Sequence, residues 1–323
     1  DGYAPKDLMD FFEMETGITV KPTYSINEEI FAKLRATRGG GFDRALPRLD
    51  RISSVLAKSK LFQPFDFTKV DAAQIVPSML EAVKKNTMVG DKSYAVPHVY
   101  GTSGLIVNRK YAPDASDYKD LLNPAYSGRV SYRLKRPTLI GVAFSMQQDP
   151  FTLYANPTSY KKLMERVGEK LIEGKGLVKN YWTNGDSLLQ SMRSEEVFVA
   201  RAWDNGGWKM HAENSDIDFI APKSGALGWI DTFTIPAKAK NVEAAYKWIN
   251  FMMKPENAAV FTNKEKYGTA SAGAIEYYDA EVKANFQRSF SKADIDNIKW
   301  YPPVPAKMES IEGLILDKVK AAN

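Results

Sequence analysis

The apolar residues near the start of the chain recur at the spacing of an α-helix. In residues 6–15, one side of the predicted helix carries Leu8, Met9, Phe11 and Phe12. Gly17 follows where a helix commonly ends. Residues 18–24 have the composition of a strand, and residues 27–38 predict a second helix that three glycines stop. Helices and strands therefore alternate from the beginning.

The alternation continues in the next part of the chain. Residues 44–48 predict a short strand that leaves a loop, residues 51–60 predict a helix, and residues 71–83 show further helical periodicity. Strands that alternate with helices of this length are typical of parallel βαβ units. The pattern therefore predicts the α/β class.

Two apolar stretches interrupt this alternation of helices and strands. Residues 95–100 and 105–108 predict two buried strands around a glycine-rich turn at 101–104. Much later, residues 226–231 run directly into a second apolar strand at 232–236. We interpret the two stretches as the places where the chain crosses between two lobes.

These crossings define a domain organisation. One lobe is expected to hold residues 1–99 with 231–275, and the other to hold residues 100–230 with 276–323. The remaining predicted helices lie at 158–173, 186–193 and 242–253. A length of 323 residues supports two lobes, because a single core usually stops growing at roughly 250–300 residues.

Charge and composition exclude several classes of protein. Lys and Arg total 44 against 39 Asp and Glu, which gives a net charge of +5 with both signs interspersed. This argues against a nucleic-acid-binding surface. The densest basic group is too short to follow a phosphate backbone, so its role must be local. It consists of Arg129, Arg133, Lys135 and Arg136.

Missing sequence features narrow the possibilities further. The chain has no cysteine, which excludes disulfides, thiolate catalysis and cysteine-ligated metals but leaves the compartment open. No apolar run approaches the roughly 20 residues that a membrane-spanning helix needs. The chain begins at Asp1 without Met or a signal-peptide pattern, so we expect a processed or trimmed amino terminus.

Several segments together resemble the periplasmic spermidine/putrescine-binding proteins and related solute-binding receptors. In chain order they are residues 1–5, 15–20, 27–34, 97–101, 123–128, 200–203, 228–236 and 241–251. The resemblance implies an α/β, two-lobed type II periplasmic-binding-protein fold with two crossover strands, and a ligand cleft that closes by a hinge motion. It also implies a periplasmic receptor, with no enzymatic activity, that delivers one small ligand to the permease of an ABC transporter. We expect a monomer that needs no cofactor or metal.

In the polyamine-binding relatives, aromatic rings sandwich the methylene chain of the ligand and carboxylates hold its ammonium groups. The matching aromatic residues here are Tyr3, Tyr100, Trp203, Trp229 and Tyr267. Asp231 follows Trp229 by two residues, so a strand places both on one face, and the resemblance implies that Asp231 holds an amine. Core packing is the alternative for a lone tyrosine, and a cap or hinge hydrogen bond is the alternative for Asp231.

The resemblance fails in one stretch. The relatives carry acidic residues there, whereas this chain reads RVSYRLKRPT at 129–138. Arg133 or Arg136 would hold a ligand carboxylate bidentately, and Arg48 is a further candidate. Strand alternation places Arg133 and Lys135 on one face and Arg136 near a turn. We expect one or two of these cations to contact the ligand, the others being solvated surface charge.

Aromatic walls, a carboxylate and guanidinium groups together predict a zwitterionic ligand such as an amino-acid conjugate. The chain looks like an opine receptor of the mannopine kind. Polar side chains that would meet the hydroxyl groups of such a ligand are Ser103, Asn205, Thr232 and Ser271. A polyamine is the alternative, and it would need further carboxylates such as Asp204 or Glu28.

Two other classes are less favoured by the sequence. Ferric-ion receptors use adjacent tyrosines, which Tyr277 and Tyr278 provide, but no cluster of His or Glu accompanies them. His98 and His211 are far apart, and neither accompanies a nucleophile or metal-binding motif, so catalysis is not expected. His98 is either a ligand donor or a packed strand residue.

Overall fold

The computed structural model describes residues 3–25, 27–56 and 59–322. Its helices are mostly amphipathic, and several begin with proline in the first turn, where the missing N–H costs nothing. The α-helices are α1 (Lys6–Thr16), α2 (Asn27–Ala36), α3 (Leu49–Leu56), α4 (Pro77–Asn86), α5 (Arg136–Ser145), α6 (Pro157–Glu173), α7 (Gly185–Arg193), α8 (Asp204–Glu213), α9 (Val242–Met253), α10 (Pro255–Glu265), α11 (Ala280–Ser289), α12 (Lys292–Asp296) and α13 (Ala306–Ala321).

The strands are mostly short, with one long exception. They are β1 (Phe62–Gln63), β2 (Met88–Val89), β3 (Lys92–Ser93), β4 (Val96–Asn108), β5 (Val130–Ser131), β6 (Val178–Asn180), β7 (Val199–Trp203), β8 (Ile217–Ile220), β9 (Leu227–Phe233), β10 (Ile235–Pro236), β11 (Gly268–Thr269) and β12 (Lys299–Trp300). Short 3₁₀ turns connect many of these elements.

The chain folds into two compact units. Unit 1 comprises Asp1–Tyr100 with Trp229–Lys283, and unit 2 comprises Gly101–Gly228 with Ala284–Asn323. Strands β4 and β9 each continue from one unit into the other. Both strands lie in the apolar stretches that the sequence singles out.

Unit 1 is built on short antiparallel pairings. Strand β11 pairs with the first half of β4, β1 pairs with β10, and single bridges join Ala45 to Thr234 and Arg48 to Asp231. The helices cover a core in which Ile52, Val83 and Ala95 are fully buried. The bridge at Asp231 fixes this carboxylate on a strand rather than on a mobile loop.

Unit 2 has a larger sheet of mixed direction. The second half of β4 is antiparallel to both β7 and β8, whereas β5 is parallel to β6 and β7. Strand β12 adds in parallel to the start of β9. Helix α13 packs against α6, and a buried cluster around Ile106, Met192 and Ala200 lies under α7 and α8. The register places Trp203, the last residue of β7, opposite Ser103.

Several predicted elements are confirmed. Helix α9 has the predicted bounds, 242–253, and Gly17 caps the end of helix α1 as expected. The predicted strand at 18–24 is wrong, because this segment pairs with no other strand in the described part of the chain. Its side chains are largely exposed, so no buried face requires it to be extended.

Two further expectations require correction. The predicted turn at 101–104 is wrong, because β4 runs straight through it for 13 residues. Gly104 serves close approach instead: a Cβ there would lie 2.7 Å from the carbonyl oxygen of Ile220. The strand alternation expected for Arg133 and Lys135 is wrong, because β5 ends at Ser131 and a turn leads from it into α5. Arg136 lies just after this turn, as expected, and begins α5.

Among the helices that the structure describes, none is both long and apolar enough to cross a membrane.

Candidate ligand-binding site

Asp231 is the centre of a polar group in unit 1. Its Oδ2 accepts a hydrogen bond of 2.7 Å from the Tyr3 hydroxyl, and its backbone bridges to Arg48 on the neighbouring segment. The residue is only 8% exposed. Two parts of the chain that are 228 positions apart therefore hold this carboxylate in place.

The environment of Asp231 makes it a strong acceptor. Burial raises its pKa to about 6, although the Tyr3 hydrogen bond and the Arg48 charge act in the opposite direction. The second carboxylate oxygen, Oδ1, is buried and has no hydrogen-bond partner. A buried acceptor without a partner is costly, and an ammonium donor would relieve that cost.

The tyrosine that donates to this carboxylate belongs to a chain of aromatic contacts. Tyr3 stacks on Tyr267 with the ring centroids 6.3 Å apart, and Trp229 meets Tyr267 edge to face at 5.2 Å. The indole N–H of Trp229 is buried and also has no hydrogen-bond partner. Rings next to a carboxylate match what an alkylammonium group requires, since the faces attract cations and the edges pack methylenes.

Tyr100 is half-buried at the end of the unit 1 part of β4, and Gly268 lies opposite it across the ladder. The tyrosine ring covers the glycine so closely that a Cβ on Gly268 would lie 2.6 Å from its Cε1 atom. The position of the ring therefore depends on the absence of a side chain at residue 268.

Replacing Gly268 by Ala is expected to move the Tyr100 ring, because no real Cβ contact is that short. If Tyr100 contacts the ligand, affinity should fall by about tenfold, on the scale of a lost aromatic contact. Titration calorimetry on the variant measures this. Gly176, which has no atom within 4 Å of an added Cβ, provides the matched control as Gly176→Ala.

Arg48 is held by Asp50. Its Nε lies 3.1 Å from Asp50 Oδ1, and Asp50 is 3% exposed. Arg48 is therefore paired with a buried carboxylate, and a contact with a ligand would be additional to this ion pair. Through its charge, Arg48 also lowers the pKa of Asp231.

In unit 2, Arg133 lies against two indole rings. Its guanidinium carbon is 5.2 Å from the centroid of Trp182 and 5.5 Å from that of Trp203. The rings themselves meet edge to face at 5.1 Å. Sequence reasoning identified Arg133 and Trp203 but missed Trp182, whose position beside them depends on the fold of unit 2.

Arg136 requires a correction. Its guanidinium Nε donates to Glu312 at 3.1 Å, and the two side chains are 8% and 3% exposed. Tyr154 and Tyr160 complete the cluster through hydrogen bonds to Arg136 and Glu312 respectively. The guanidinium is committed to an internal ion pair that fixes α13, so we no longer assign it to a ligand.

The predicted hydroxyl-binding residues have internal roles as well. Ser271 donates to the carbonyl of Met253 at 2.7 Å, and Thr232 donates to that of Pro47 at 2.9 Å. The Ser103 carbonyl accepts from Tyr118 at 3.0 Å, and Asn205 is 9% exposed in the first turn of α8. The Ser271 and Thr232 hydroxyls therefore donate hydrogen bonds to the backbone and do not face open space.

The carboxylates named for a polyamine have different surroundings. Asp204 accepts from the backbone N–H and the hydroxyl of Thr102, at 2.7 and 2.9 Å. Burial raises its pKa to about 7 in spite of these bonds. Its role is to tie α8 to β4. The side chain of Glu28 lies outside the described residues.

The two histidines named as candidates for catalysis lie in separate surroundings. Within the described ranges, no group of three or more His, Asp or Glu residues is arranged to hold a metal ion. His98 is 1% exposed and stacks on Phe233 at 4.1 Å, and burial holds its pKa well below the usual value. His211 Nδ1 lies 3.0 Å from the Ile217 carbonyl. His98 is thus a packed strand residue.

Sequence reasoning also missed Arg44. Its guanidinium lies over Phe233 and Trp248, at 5.5 and 5.0 Å, and burial lowers its pKa to about 9. It lines a cavity of about 750 Å³ in unit 1 that reaches Tyr3 and Asp231. The buried Arg44 guanidinium therefore adds positive potential to unit 1, which also holds Asp231.

Comparison with known proteins defines the family. Residues 7–288 match the bacterial extracellular solute-binding proteins. The spermidine/putrescine-binding periplasmic protein of Escherichia coli strain K12 is 28% identical over 330 residues, which cover 99% of this chain and 89% of that protein.

Solved structures give the same fold. The spermidine/putrescine ABC transporter substrate-binding protein PotD from Streptococcus pneumoniae superimposes with a TM-score of 0.81 at 21% identity, covering 98% of this chain and 95% of that chain. AgtB from A. tumefacien R10, solved in complex with agropinic acid, gives 0.69 at 17% identity, covering 97% and 90%.

These likenesses confirm the predicted type II periplasmic-binding-protein fold of the α/β class. The family match covers most of the chain. The chain belongs to the bacterial extracellular solute-binding proteins, and it is a periplasmic solute-binding protein of the ABC-importer type rather than an enzyme.

Proposed function

We propose that this receptor binds a small solute carrying an amine, that Asp231 accepts the ammonium group, and that Tyr3, Trp229 and Tyr267 pack against the adjoining carbon chain. The observation that carries the proposal is the buried Oδ1 of Asp231, which has no hydrogen-bond partner, while Tyr3, which donates to the other oxygen, stacks on Tyr267. The loaded receptor would present the solute to an ABC permease.

The named relatives support a polyamine. The Escherichia coli protein is named for spermidine and putrescine, so the polyamine alternative is better supported than the opine reading that the sequence favoured. Agropinic acid in the AgtB structure supports an opine, but from a chain only 17% identical. An ammonium group at Asp231 is common to the polyamine and to a mannopine-like ligand.

A zwitterion is the second candidate, and one observation favours it. Arg133 and Lys135 lie in unit 2 in the stretch where the relatives are expected to be acidic. A polyamine would bring positive charge to these residues, whereas a carboxylate would be attracted to them.

The pKa of Asp231 sets a pH dependence for binding. Because this pKa is raised to about 6, the carboxyl is ionised above that pH and protonated below it. An ammonium group binds the ionised form, so affinity should be constant above about pH 7 and fall by up to about tenfold per pH unit below pH 6. Calorimetry from pH 8 to pH 5 measures this, and affinity that rises on acidification would contradict the assignment.

Titration calorimetry on the ligand-stripped protein tests the proposal itself. We expect micromolar or tighter binding of at least one of putrescine, spermidine and mannopine, and no response to maltose, which lacks an amine. Tight binding of maltose with no response to the three amines would overturn the proposal.

A further inference from the structure

The cavity that Arg44 lines has more basic than acidic residues in its described wall. It measures about 750 Å³, and its described lining residues all belong to unit 1. Among these residues, Lys21, Lys33 and Arg44 are basic, whereas Asp43 and Asp231 are acidic. The described wall therefore carries a net positive charge.

The two carboxylates of this wall are engaged with other groups. Asp43 accepts hydrogen bonds of 2.9–3.0 Å from the backbone and side chain of residues 240–241, and both of its oxygens take part. The cation that lowers the pKa of Asp231 is Arg48. Within the described chain, neither carboxylate is hydrogen-bonded to Arg44, so the Arg44 charge has no direct counter-charge among the acidic lining residues.

Two buried N–H donors in this wall lack partners. Nη1 of Arg44 and Nε1 of Trp248 are buried, and neither has a hydrogen-bond partner in the described part of the chain. The guanidinium carbon lies 5.0 Å from the centroid of the Trp248 ring, so both donors belong to the same part of the wall. A buried donor without a partner is unfavourable, and a carboxylate has two acceptor oxygens that supply one for each.

The fold fixes the position of Arg44 before any anion binds. The next residue, Ala45, exchanges backbone hydrogen bonds of 3.0 and 2.9 Å with Thr234, whose hydroxyl also donates to the Ala45 carbonyl at 3.0 Å. The rings of Phe233 and Trp248 hold the guanidinium, at 5.5 and 5.0 Å. An anion would therefore pay little to order this side chain.

The aromatic contacts do not replace a hydrogen-bond acceptor. A ring face attracts the positive charge of a guanidinium, but the N–H groups at its edge still need acceptors. The planar fork of an arginine matches the two oxygens of a carboxylate.

We propose that Arg44 and Trp248 form a binding site for a carboxylate group in the unit 1 cavity. The inference goes beyond the proposed function, because it does not require an amine at Asp231. The carboxylate belongs either to the transported solute or to a small free acid, and the experiments below separate these sources.

Sodium acetate is the probe for the site itself. A ligand that binds the folded state raises the thermal unfolding midpoint. Ligand-stripped protein should therefore unfold at a higher temperature in sodium acetate than in sodium chloride at equal concentration and neutral pH. The dependence of the midpoint on acetate concentration gives the affinity. An acetate effect equal to that of chloride would overturn the site.

Variants identify the residues responsible. Arg44→Met should weaken acetate binding by about tenfold or more, the scale of a lost charge-assisted hydrogen bond. The variant should fold, because methionine packs well against the rings that Arg44 contacts. Trp248→Phe keeps an aromatic ring but removes the indole N–H, and it should weaken binding by about 3- to 10-fold.

Arg35→Met is the matched control. Arg35 is exposed on α2 in the same unit, lies over the ring of Phe31 at 6.0 Å, and is not among the described lining residues. The same chemical change should leave the acetate effect intact there. Acetate that stabilises Arg44→Met as much as the wild type would indicate an anion bound elsewhere and would overturn the site.

A pair of amine ligands separates the two sources of the carboxylate. Putrescine and 4-aminobutanoate share a four-carbon chain and one ammonium end, and only the second carries a carboxylate. If the solute supplies the carboxylate, Arg44→Met should weaken 4-aminobutanoate binding by about tenfold and leave putrescine binding unchanged in calorimetry. If a free acid supplies it, acetate and the amine should bind together, and Arg44→Met should affect neither amine ligand. Both results support the site.

The failure of this inference is distinguishable from that of the proposed function. Asp231→Asn should not weaken the acetate effect, because the variant removes only a negative charge from the cavity wall. If no amine binds while acetate still stabilises the protein through Arg44, the amine proposal fails and the carboxylate site stands. If amines bind through Asp231 while acetate acts as chloride does, the carboxylate site fails alone.

Discussion

Replacing Asp231 by Asn is expected to weaken the binding of an amine ligand by about 30- to 5,000-fold. The substitution keeps the size of the side chain but removes the charge from a residue that is 8% exposed. Truncating one partner of a buried charge pair commonly costs about 2–5 kcal/mol, because the other charge is left buried and uncompensated. Titration calorimetry on wild type and variant measures the loss.

The control for this experiment is Asp7→Asn. Asp7 lies in the first turn of α1, in the same unit, and its side chain is 74% exposed. A general effect of net charge on a cationic ligand would appear equally in both variants, because each loses one negative charge. If Asp7→Asn weakens binding as much as Asp231→Asn, the specific role of Asp231 is refuted.

Replacing Glu312 by Gln should destabilise unit 2 by about 3–5 kcal/mol. Arg136 and Glu312 are 8% and 3% exposed, so the substitution leaves a buried guanidinium without a counter-charge. Thermal or urea unfolding measures the difference. The double variant Arg136→Met with Glu312→Leu should recover most of the lost stability, because apolar replacements of similar volume remove both charges together.

The surface pair of Lys161 and Glu165 provides the comparison. Their charged groups are 3.7 Å apart on α6, and the side chains are 59% and 36% exposed. Glu165→Gln should cost at most about 1 kcal/mol, because water and salt screen an exposed pair.

The double variant of Arg136 and Glu312 should also bind the ligand as the wild type does. A loss of affinity in that folded variant would restore Arg136 to the binding site.

The sequence was sufficient where local pattern decides the structure. Helix α9 combines a clear apolar face with a proline just after its end, and its bounds were predicted without error. The segment at 18–24 has strand-like composition, but a strand also needs a partner. The described chain supplies none there. Composition alone therefore gave the wrong element.

Contacts between distant positions could not be read from the sequence. The sequence presents Arg136 as one of several equivalent cations, and its partner Glu312 lies 176 positions away. Trp182, which contacts Arg133, was missed for the same reason. Asp231 was identified through a resemblance to known receptors, whereas its contact with Tyr3 required the fold. The candidate residues were predictable, but their partners were not.

Native mass spectrometry under competition tests the central claim most directly. Ligand-stripped protein would be mixed with equal concentrations of putrescine, spermidine, mannopine, maltose and ferric citrate. We predict a single adduct whose added mass is that of one of the three amines, and no such adduct with the Asp231→Asn variant. An adduct of maltose or iron, or an amine adduct that persists in the variant, would contradict the account.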